Sequence, residues 1–227
     1  MISIIIPVYN QADKIGACLD SILEQSFKDY EIIIVNDGST DNIGEVLSEY
    51  SEKAKLQTVN QANQGANSAR NKGYNISSGE YLLFCDADIV LRNDMLEKMI
   101  NIIKNTDYSY AYSSHKFGFK KFPLWEFDEE KLKKMPYIHT TSLIKRKDFP
   151  GFDLSVRRLQ DWDLWLTMLE NGKRGKWIPE YLFEVADGGT MSSWIPSFFY
   201  KLFPFLSSVK KYKKSVEIIK KKHNINI

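Results

Sequence analysis

The chain has 227 residues, 43% of them hydrophobic and 26% charged, with a formal net charge of +2. That length fits one large domain with a full core, and the mix is that of an ordinary globular protein. The near-balanced charge excludes a globally basic surface for nucleic acid, and the two cysteines, Cys18 and Cys85, exclude a disulfide framework and carry no metal-site spacing.

Residues 2–7 form a continuous β-branched run and read as a buried strand. This N-terminus lacks the basic leader and small-residue cleavage site of a signal peptide. Ile15, Cys18, Leu19, Ile22 and Leu23 then recur at helical spacing, with Asn10 placed to cap the helix and Asp13 three residues on. Residues 31–35 are a second buried strand, 36–41 a turn cluster, and a helix follows to about residue 53. Residues 56–60 make a short strand. Residues 64–76 make a helix with Ala66, Ala69 and Gly73 on its close-packed side. Residues 81–85 are the next strand and 94–104 the next helix, with an Asp94…Glu97 capping-box pattern. Strands separated by helices of this length predict βαβ units, hence an α/β fold with a mostly parallel central sheet.

The second half is less regular. Residues 108–112 read as a strand, 116–136 as a variable loop with some helix, and 139–145 as a strand. Trp162, Trp165, Leu166 and Leu169 place a helix over 160–170, and 177–185 returns as a strand. Residues 194–209 are rich in Phe, Leu and Trp, and residues 210–223 hold seven lysines against one Glu. Such a tail suits an anionic membrane surface, or a terminal helix packed on the domain with a solvated lysine face. No apolar run approaches the roughly 20 residues of a membrane-spanning helix, which points to a cytoplasmic protein, with the tail as its one route to a membrane surface. The two cysteines read as small buried thiols of a reducing compartment.

The most informative feature is Asp86-Ala87-Asp88, directly after the apolar run Tyr81-Leu82-Leu83-Phe84. Two acids at the carboxyl end of a buried strand stand at the mouth of an α/β sheet, where ligands bind. Adjacent carboxylates repel, and a hard divalent ion shared with substrate phosphates relieves that repulsion. Two solvated acids in a turn is the bland alternative. The turns after the first, second and fourth strands converge on the same edge and bring Tyr9 and Asp37 with them.

Further motifs follow a fixed order: Ser3-Ile4-Ile5-Ile6-Pro7-Val8-Tyr9-Asn10, Glu31-Ile32-Ile33-Ile34-Val35-Asn36-Asp37-Gly38-Ser39-Thr40-Asp41, Asn63-Gln64-Gly65 with Ala69-Arg70-Asn71-Lys72-Gly73, Asp86-Ala87-Asp88, Gly151-Phe152-Asp153 and Gln160-Asp161-Trp162-Asp163-Leu164-Trp165. Taken together, from residue 2 to about residue 192, the chain resembles the family 2 glycosyltransferases. The resemblance implies the GT-A fold, a Rossmann-like α/β/α sandwich. It implies a nucleotide-sugar-binding half at 1–112, an acceptor-side half at 113–192, and an aromatic and basic helical tail at 193–227 outside the family domain. It also implies inverting transfer of a sugar from a nucleotide-diphosphate donor, UDP-sugars foremost, to a hydroxyl of a glycan or glycolipid acceptor in cell-surface synthesis.

On that resemblance, Asp37 contacts the base, Pro7, Val8 and Tyr9 line the same edge, and Arg70 reaches the base or the phosphates. Asp88 ligates Mn²⁺ or Mg²⁺, while Asp86 contacts the ribose or reaches the metal through water. Asp161 is the base that takes the acceptor proton, and Asp163 falls across the helix from it. Three positions depart from the family pattern. Gln160 stands for the commoner Glu, Val185 for an Arg, and Asp187 for a His, where it offers a further metal ligand. Lys72, Lys173 and Arg174 are the cations available to replace the missing one. His115 and His139 lack ligand spacing and read as structural or acceptor-side residues, and Gly151-Phe152-Asp153 as shaping the acceptor side. Two alternatives stand beside this reading: transfer to a polyprenyl phosphate, and a non-catalytic nucleotide-sugar-binding protein. A dinucleotide-binding dehydrogenase is disfavoured because no Gly-x-Gly-x-x-Gly follows the first strand.

Overall fold

A strand buried on both faces needs apolar side chains at every position rather than alternate ones, and the N-terminal run provides them. In the computed structural model, which describes residues 1–51, 56–186 and 206–225, this run is β1 (Ile2–Val8), and every residue of it is buried. β1 lies between β2 (Tyr30–Asn36) and β4 (Tyr81–Phe84), parallel to both. β3 (Leu56–Asn60) extends the parallel set beyond β2.

Helices cover both faces. α1 (Ala12–Leu23), α2 (Ile43–Ser51) and α4 (Met95–Ile103) supply Ile15, Leu19, Ile22, Leu47 and Met99 to a core shared with Ile2, Ile4, Ile6 and Ile34. On the opposite face α3 (Ala66–Ile76) packs closely, because Gly73 has no side chain. A Cβ there would stand 2.4 Å from Ile5 Cγ2.

The second half adds β5 (Ile89–Leu91), β6 (Tyr110–Phe117), β7 (Lys120–Phe122), α5 (Glu129–Lys134), β8 (Leu143–Lys145), α6 (Gln160–Glu170) and β9 (Gly175–Val185). The sheet order is β3-β2-β1-β4-β8-β6-β9-β5, with β7 on β6. The β8 pairings and β5–β9 are antiparallel and β6–β9 is parallel, so most paired positions of the whole sheet are parallel. β5 follows β4 at once in the chain, yet pairs at the far end of the sheet. The sheet curls to allow this, and the Ala186 amide donates to the Asp88 carbonyl at 2.7 Å.

Several sequence expectations shift. Asn10 does not cap α1. It adopts φ 50°, and its Oδ1 accepts from the Thr40 amide at 2.7 Å. The α1 amide of Ala12 donates instead to Asp41 Oδ2 at 2.9 Å, across from the next sheet-end loop. Asp94 makes no capping bond, because Arg92 and Lys98 hold its carboxylate. The strand expected at 108–112 runs from Tyr110 to Phe117, and the irregular stretch after it contains β7 and α5. Of 139–145 only Leu143–Lys145 is strand, since the Thr141 amide turns back onto His139 Nδ1 at 3.1 Å.

The last element, α7 (Ser207–Lys222), packs into the same core as α6. Ile219 is buried with Trp162, Trp165 and Leu166. Lys210, Lys211, Lys213, Lys214 and Lys221 point to solvent, so this part of the tail is a packed helix with a basic outer face. Among the described residues no helix is long and apolar enough to cross a membrane. Asp187 and the aromatic segment 194–205 lie outside the described residues.

Candidate active site

The sheet edge is built from loops that bond to one another. The Asp37 amide donates to the Val8 carbonyl at 2.9 Å. The buried Asp37 carboxylate accepts from Gln61 Nε2 at 2.7 Å and from the amides of Gln64 and Gly65 at 2.9 and 2.8 Å. Asp37 therefore fixes the loop that leads into α3, and a base contact would share its oxygens with these donors. Gly38 permits the turn, with φ +75° and the Asn63 amide 2.8 Å from where a Cβ would lie. Pro7 and Val8 are buried within β1, and Tyr9, 47% exposed, is the first side chain on this edge open to a ligand.

Arg70 projects from α3 and is buried. Its Nη2 donates to Asp86 Oδ1 at 2.6 Å, and its Nη1 reaches Asn67 Oδ1 and Gln160 Oε1 at 3.5 Å. The Phe152 ring lies beneath the guanidinium, 5.3 Å from its carbon. Arg70 Nε is buried with no partner among the described residues. One guanidinium thus joins the Asp86 side to the helix that begins with Gln160 and Asp161.

The three carboxyls here differ. Burial works against the Asp86 carboxylate, but the charges of Arg70 and His139 and the Arg70 hydrogen bond outweigh it, so Asp86 titrates below the usual range. Asp88, 7% exposed, is pushed up to about 6, by burial first and then by the neighbouring Asp86 charge, with Lys14 pulling the other way. Burial also raises Asp161, against its bond from the Trp162 amide and the charges of His139 and Arg70.

These acids suit a hard cation. Asp88 is a buried carboxylate only partly relieved by Lys14, and Arg70 bonds to one oxygen of Asp86. Among the described residues no three His, Cys, Asp or Glu side chains form a metal cage. A Mg²⁺-like ion is typically held by one or two carboxylates together with substrate phosphates, and the pair fits that pattern.

Two residues outside the motifs belong here: His139, read from the sequence as structural or acceptor-side, and Lys14, which the sequence did not single out. His139 lies close enough to Asp86, Asp161 and Arg70 for all three charges to act on it. Its Nδ1 accepts from the Thr141 amide, which leaves the proton of the neutral ring on Nε2. Lys14, in the first turn of α1, is the cation whose charge reaches Asp88. No local spacing marks either residue. Of the compensating cations expected from sequence, Lys173 pairs with Asp148 and Arg174 with Glu129. Both precede β9, whose other end meets Asp88, so neither reaches the acids. Lys72 donates to the Asn60 carbonyl. Val185 is buried in β9 opposite Ile89. His115 stacks between Phe122 and Phe183, 5.0 and 5.1 Å away and within 4° of parallel, and burial lowers its pKa to about 3. It is a structural ring. Cys18 and Cys85 are buried thiols 3.8 Å apart beneath Asp86.

The Gly151-Phe152-Asp153 loop is bound to α3. Asn71 Nδ2 donates to the Phe152 carbonyl and Asn67 Nδ2 to the Asp153 carbonyl, each at 2.8 Å. Asp163, two residues beyond Asp161, faces away from the acids and meets Lys222 and His223 of the C-terminal segment.

Comparison with known proteins gives the same picture. The model of the family described as "Glycosyl transferase family 2" matches residues 3–157. Relatives include glycosyltransferase GlyA of Streptococcus pneumoniae, 43% identical over 43% of this chain, and the uncharacterized glycosyltransferase YibD of Escherichia coli, 36% identical over 53% of it. The matched stretches make up 14% and 35% of those proteins. Staphylococcus aureus TarS, residues 1–349 in complex with UDP-GlcNAc, superposes with a TM-score of 0.72 at 21% identity, over 88% of this chain and 64% of that one. The mannosyltransferase PcManGT of Pyrobaculum calidifontis, solved with GDP-Man and Mn²⁺, gives 0.66 at 20% identity, over 82% and 56%. The architecture is the GT-A fold expected from the sequence.

Proposed function

We propose that this chain, which belongs to glycosyl transferase family 2, moves a sugar with inversion from a nucleotide-diphosphate donor, a UDP-sugar foremost, to an acceptor hydroxyl. The observation that carries this reading is the Arg70 guanidinium. It meets Asp86 at 2.6 Å and Gln160 at 3.5 Å, so the acids suited to the donor and the helix bearing Asp161 share one side chain. UDP-GlcNAc in TarS and GDP-Man in the mannosyltransferase support a nucleotide-sugar donor.

In this reading Tyr9 and the Asp37 loop bind the base, and Asp86 the ribose side. Asp88, with Asp86, holds Mn²⁺ or Mg²⁺, which supplies positive charge to the departing diphosphate. Lys14 adds a fixed cation on the Asp88 side. Asp161 accepts the proton of the acceptor hydroxyl as its oxygen attacks the anomeric carbon from the face opposite the diphosphate. The bond to the diphosphate breaks as the new one forms, and a single displacement of this kind inverts the centre. A raised carboxyl suits Asp161 to this role, because a base works best with a pKa near the working pH.

A polyprenyl phosphate acceptor is already ionised and needs no base, so the environment of Asp161 favours a hydroxyl. The basic outer face of α7 supports work at the cytoplasmic side of an anionic membrane, on a glycan or glycolipid of the cell surface. The test is Asp161→Asn: nucleoside diphosphate release with donor, acceptor and Mn²⁺ drops by about 10²–10⁴-fold, while calorimetric binding of the nucleotide is unchanged. Undiminished turnover removes Asp161 from the reaction. Nucleotide binding with no transfer and no slow donor hydrolysis by the unaltered protein would establish the non-catalytic alternative.

A further inference from the structure

The acid at position 163 has no place in the chemistry above, yet it is the most thoroughly paired carboxylate of the motif. It is 3% exposed. His223 Nε2 lies 2.8 Å from its Oδ1, and Lys222 Nζ lies 2.9 Å from its Oδ2. His223 Nδ1 meets Glu170 Oε1 at 2.9 Å. A carboxylate stands at each ring nitrogen of His223 and raises its pKa; burial opposes this and the two carboxylates outweigh it. Lys222 also reaches Asp153 Oδ2 at 2.7 Å.

We infer that Lys222 and His223 are positioning residues for transfer: they clamp the first turns of α6 and the Gly151-Phe152-Asp153 loop in one register and so hold Asp161 against the Arg70–Asp86 pair. The proposal rests on Asp161 acting as the base. Three observations carry it. Asp161 and Asp163 sit about 200° apart around α6, so a clamp on one fixes the direction of the other. Asp153 is adjacent to Phe152, whose ring supports Arg70, and Lys222 bridges that loop to Asp163. The Asp163–His223 pair at the centre of the clamp is buried, where an apolar pair of the same volume would give as much stability or more. Charge here fixes a register, since each of these side chains has one arrangement that satisfies its partners.

Displacing a reacting group by about 1 Å costs on the order of 10²-fold in rate, so a loosened clamp acts on turnover far more than on donor binding. In the full-length protein, Lys222→Met and His223→Gln together lower kcat by about tenfold or more and leave the donor KM within about twofold. The Lys222→Arg variant, which keeps the bridging charge, retains turnover. A readout without substrate is the Trp162 indole, which lies between the two acids in sequence and donates to the Leu132 carbonyl at 2.6 Å. Its N–H resonance moves and its hydrogen exchange speeds up in the double variant. If the double variant does not fold, Lys222→Met alone carries the test, as that side chain is 33% exposed. An unmoved Trp162 indole, or unchanged kcat in a folded variant, overturns the clamp. Asp161→Asn is measured alongside: full turnover there overturns the base reading, whatever the clamp variants do.

Discussion

Arg70→Met tests the electrostatic arrangement directly. The guanidinium is 5% exposed and Asp86 31% exposed, with 2.6 Å between them. Removing one member of a buried pair costs about 3–5 kcal/mol, because a charge is left buried without a partner. Asp86 is nearly a third exposed, so we expect less than that range, about 2–3 kcal/mol. With a urea slope of about 2 kcal/mol per molar, the unfolding midpoint falls by roughly 1–1.5 M. The loss also depends on pH. Asp86 has a lowered pKa in the folded state, so its pairing stabilises fully above the ordinary carboxylate value and is lost as pH falls through the lower folded one. The gap between wild type and variant is therefore widest near neutrality and narrows in acid. In the variant, Asp86 loses its guanidinium beside Asp88, whose pKa is already raised, so saturating Mn²⁺ raises the melting temperature more than in wild type. A midpoint shift below about 0.3 M at pH 7, or an equal response to Mn²⁺, would refute the reasoning.

Chelation with EDTA abolishes product formation and added Mn²⁺ restores it; turnover that survives chelation removes the assigned role of Asp86 and Asp88. Gly73→Ala forces a Cβ against Ile5 and costs about 1–3 kcal/mol, read as a melting temperature lower by about 2–4 °C for each kcal/mol; an unchanged melting temperature means α3 can lift at no cost. Exchanging Lys210, Lys211, Lys213, Lys214 and Lys221 for Glu releases the protein from phosphatidylglycerol vesicles in sedimentation, since each lysine near such a surface contributes about 1 kcal/mol; equal sedimentation of both proteins argues that α7 does not face the membrane.

The parallel half of the fold was legible because its strands are buried on both faces. Residues 2–7, 31–35 and 81–85 cannot be amphipathic, and the helices between them fall into register once the period is read. The antiparallel additions were harder. β5 and β7 are three residues each, too short for a period, and β8 is cut back by the bonds that Thr141 and Ser142 make to His139. The capping errors share one cause. Asn10 and Asp94 carry suitable side chains, but partners from the neighbouring loop and from Arg92 outcompete the local amide, and the cap of α1 comes from Asp41, 29 residues on. The site was legible as a set of residues and not as a set of contacts. Asp86, Asp88, Arg70 and Asp161 are visible in the motifs. The charge of Lys14 on Asp88 and the place of His139 beside Asp86 and Asp161 appear only in the folded contacts, and Lys173 and Arg174 leave because β9 carries the chain away from them.

The contacts explain how one cleft gives three acids three behaviours. The Arg70 guanidinium pairs with Asp86, which titrates below the usual range. Asp88 is buried beside the Asp86 charge and only partly relieved by Lys14, so its pKa is pushed up to about 6. Asp161 is raised by burial and only partly relieved by Arg70 and His139, the direction a proposed base at this position calls for. Environments that push like groups apart are how acid and base roles become distinct on one fold. The neutral side chain at Gln160 fits this division. Its Oε1 already stands 3.5 Å from Arg70 Nη1, and a carboxylate there would compete with Asp86 for the Arg70 guanidinium while setting a second negative charge beside Asp161.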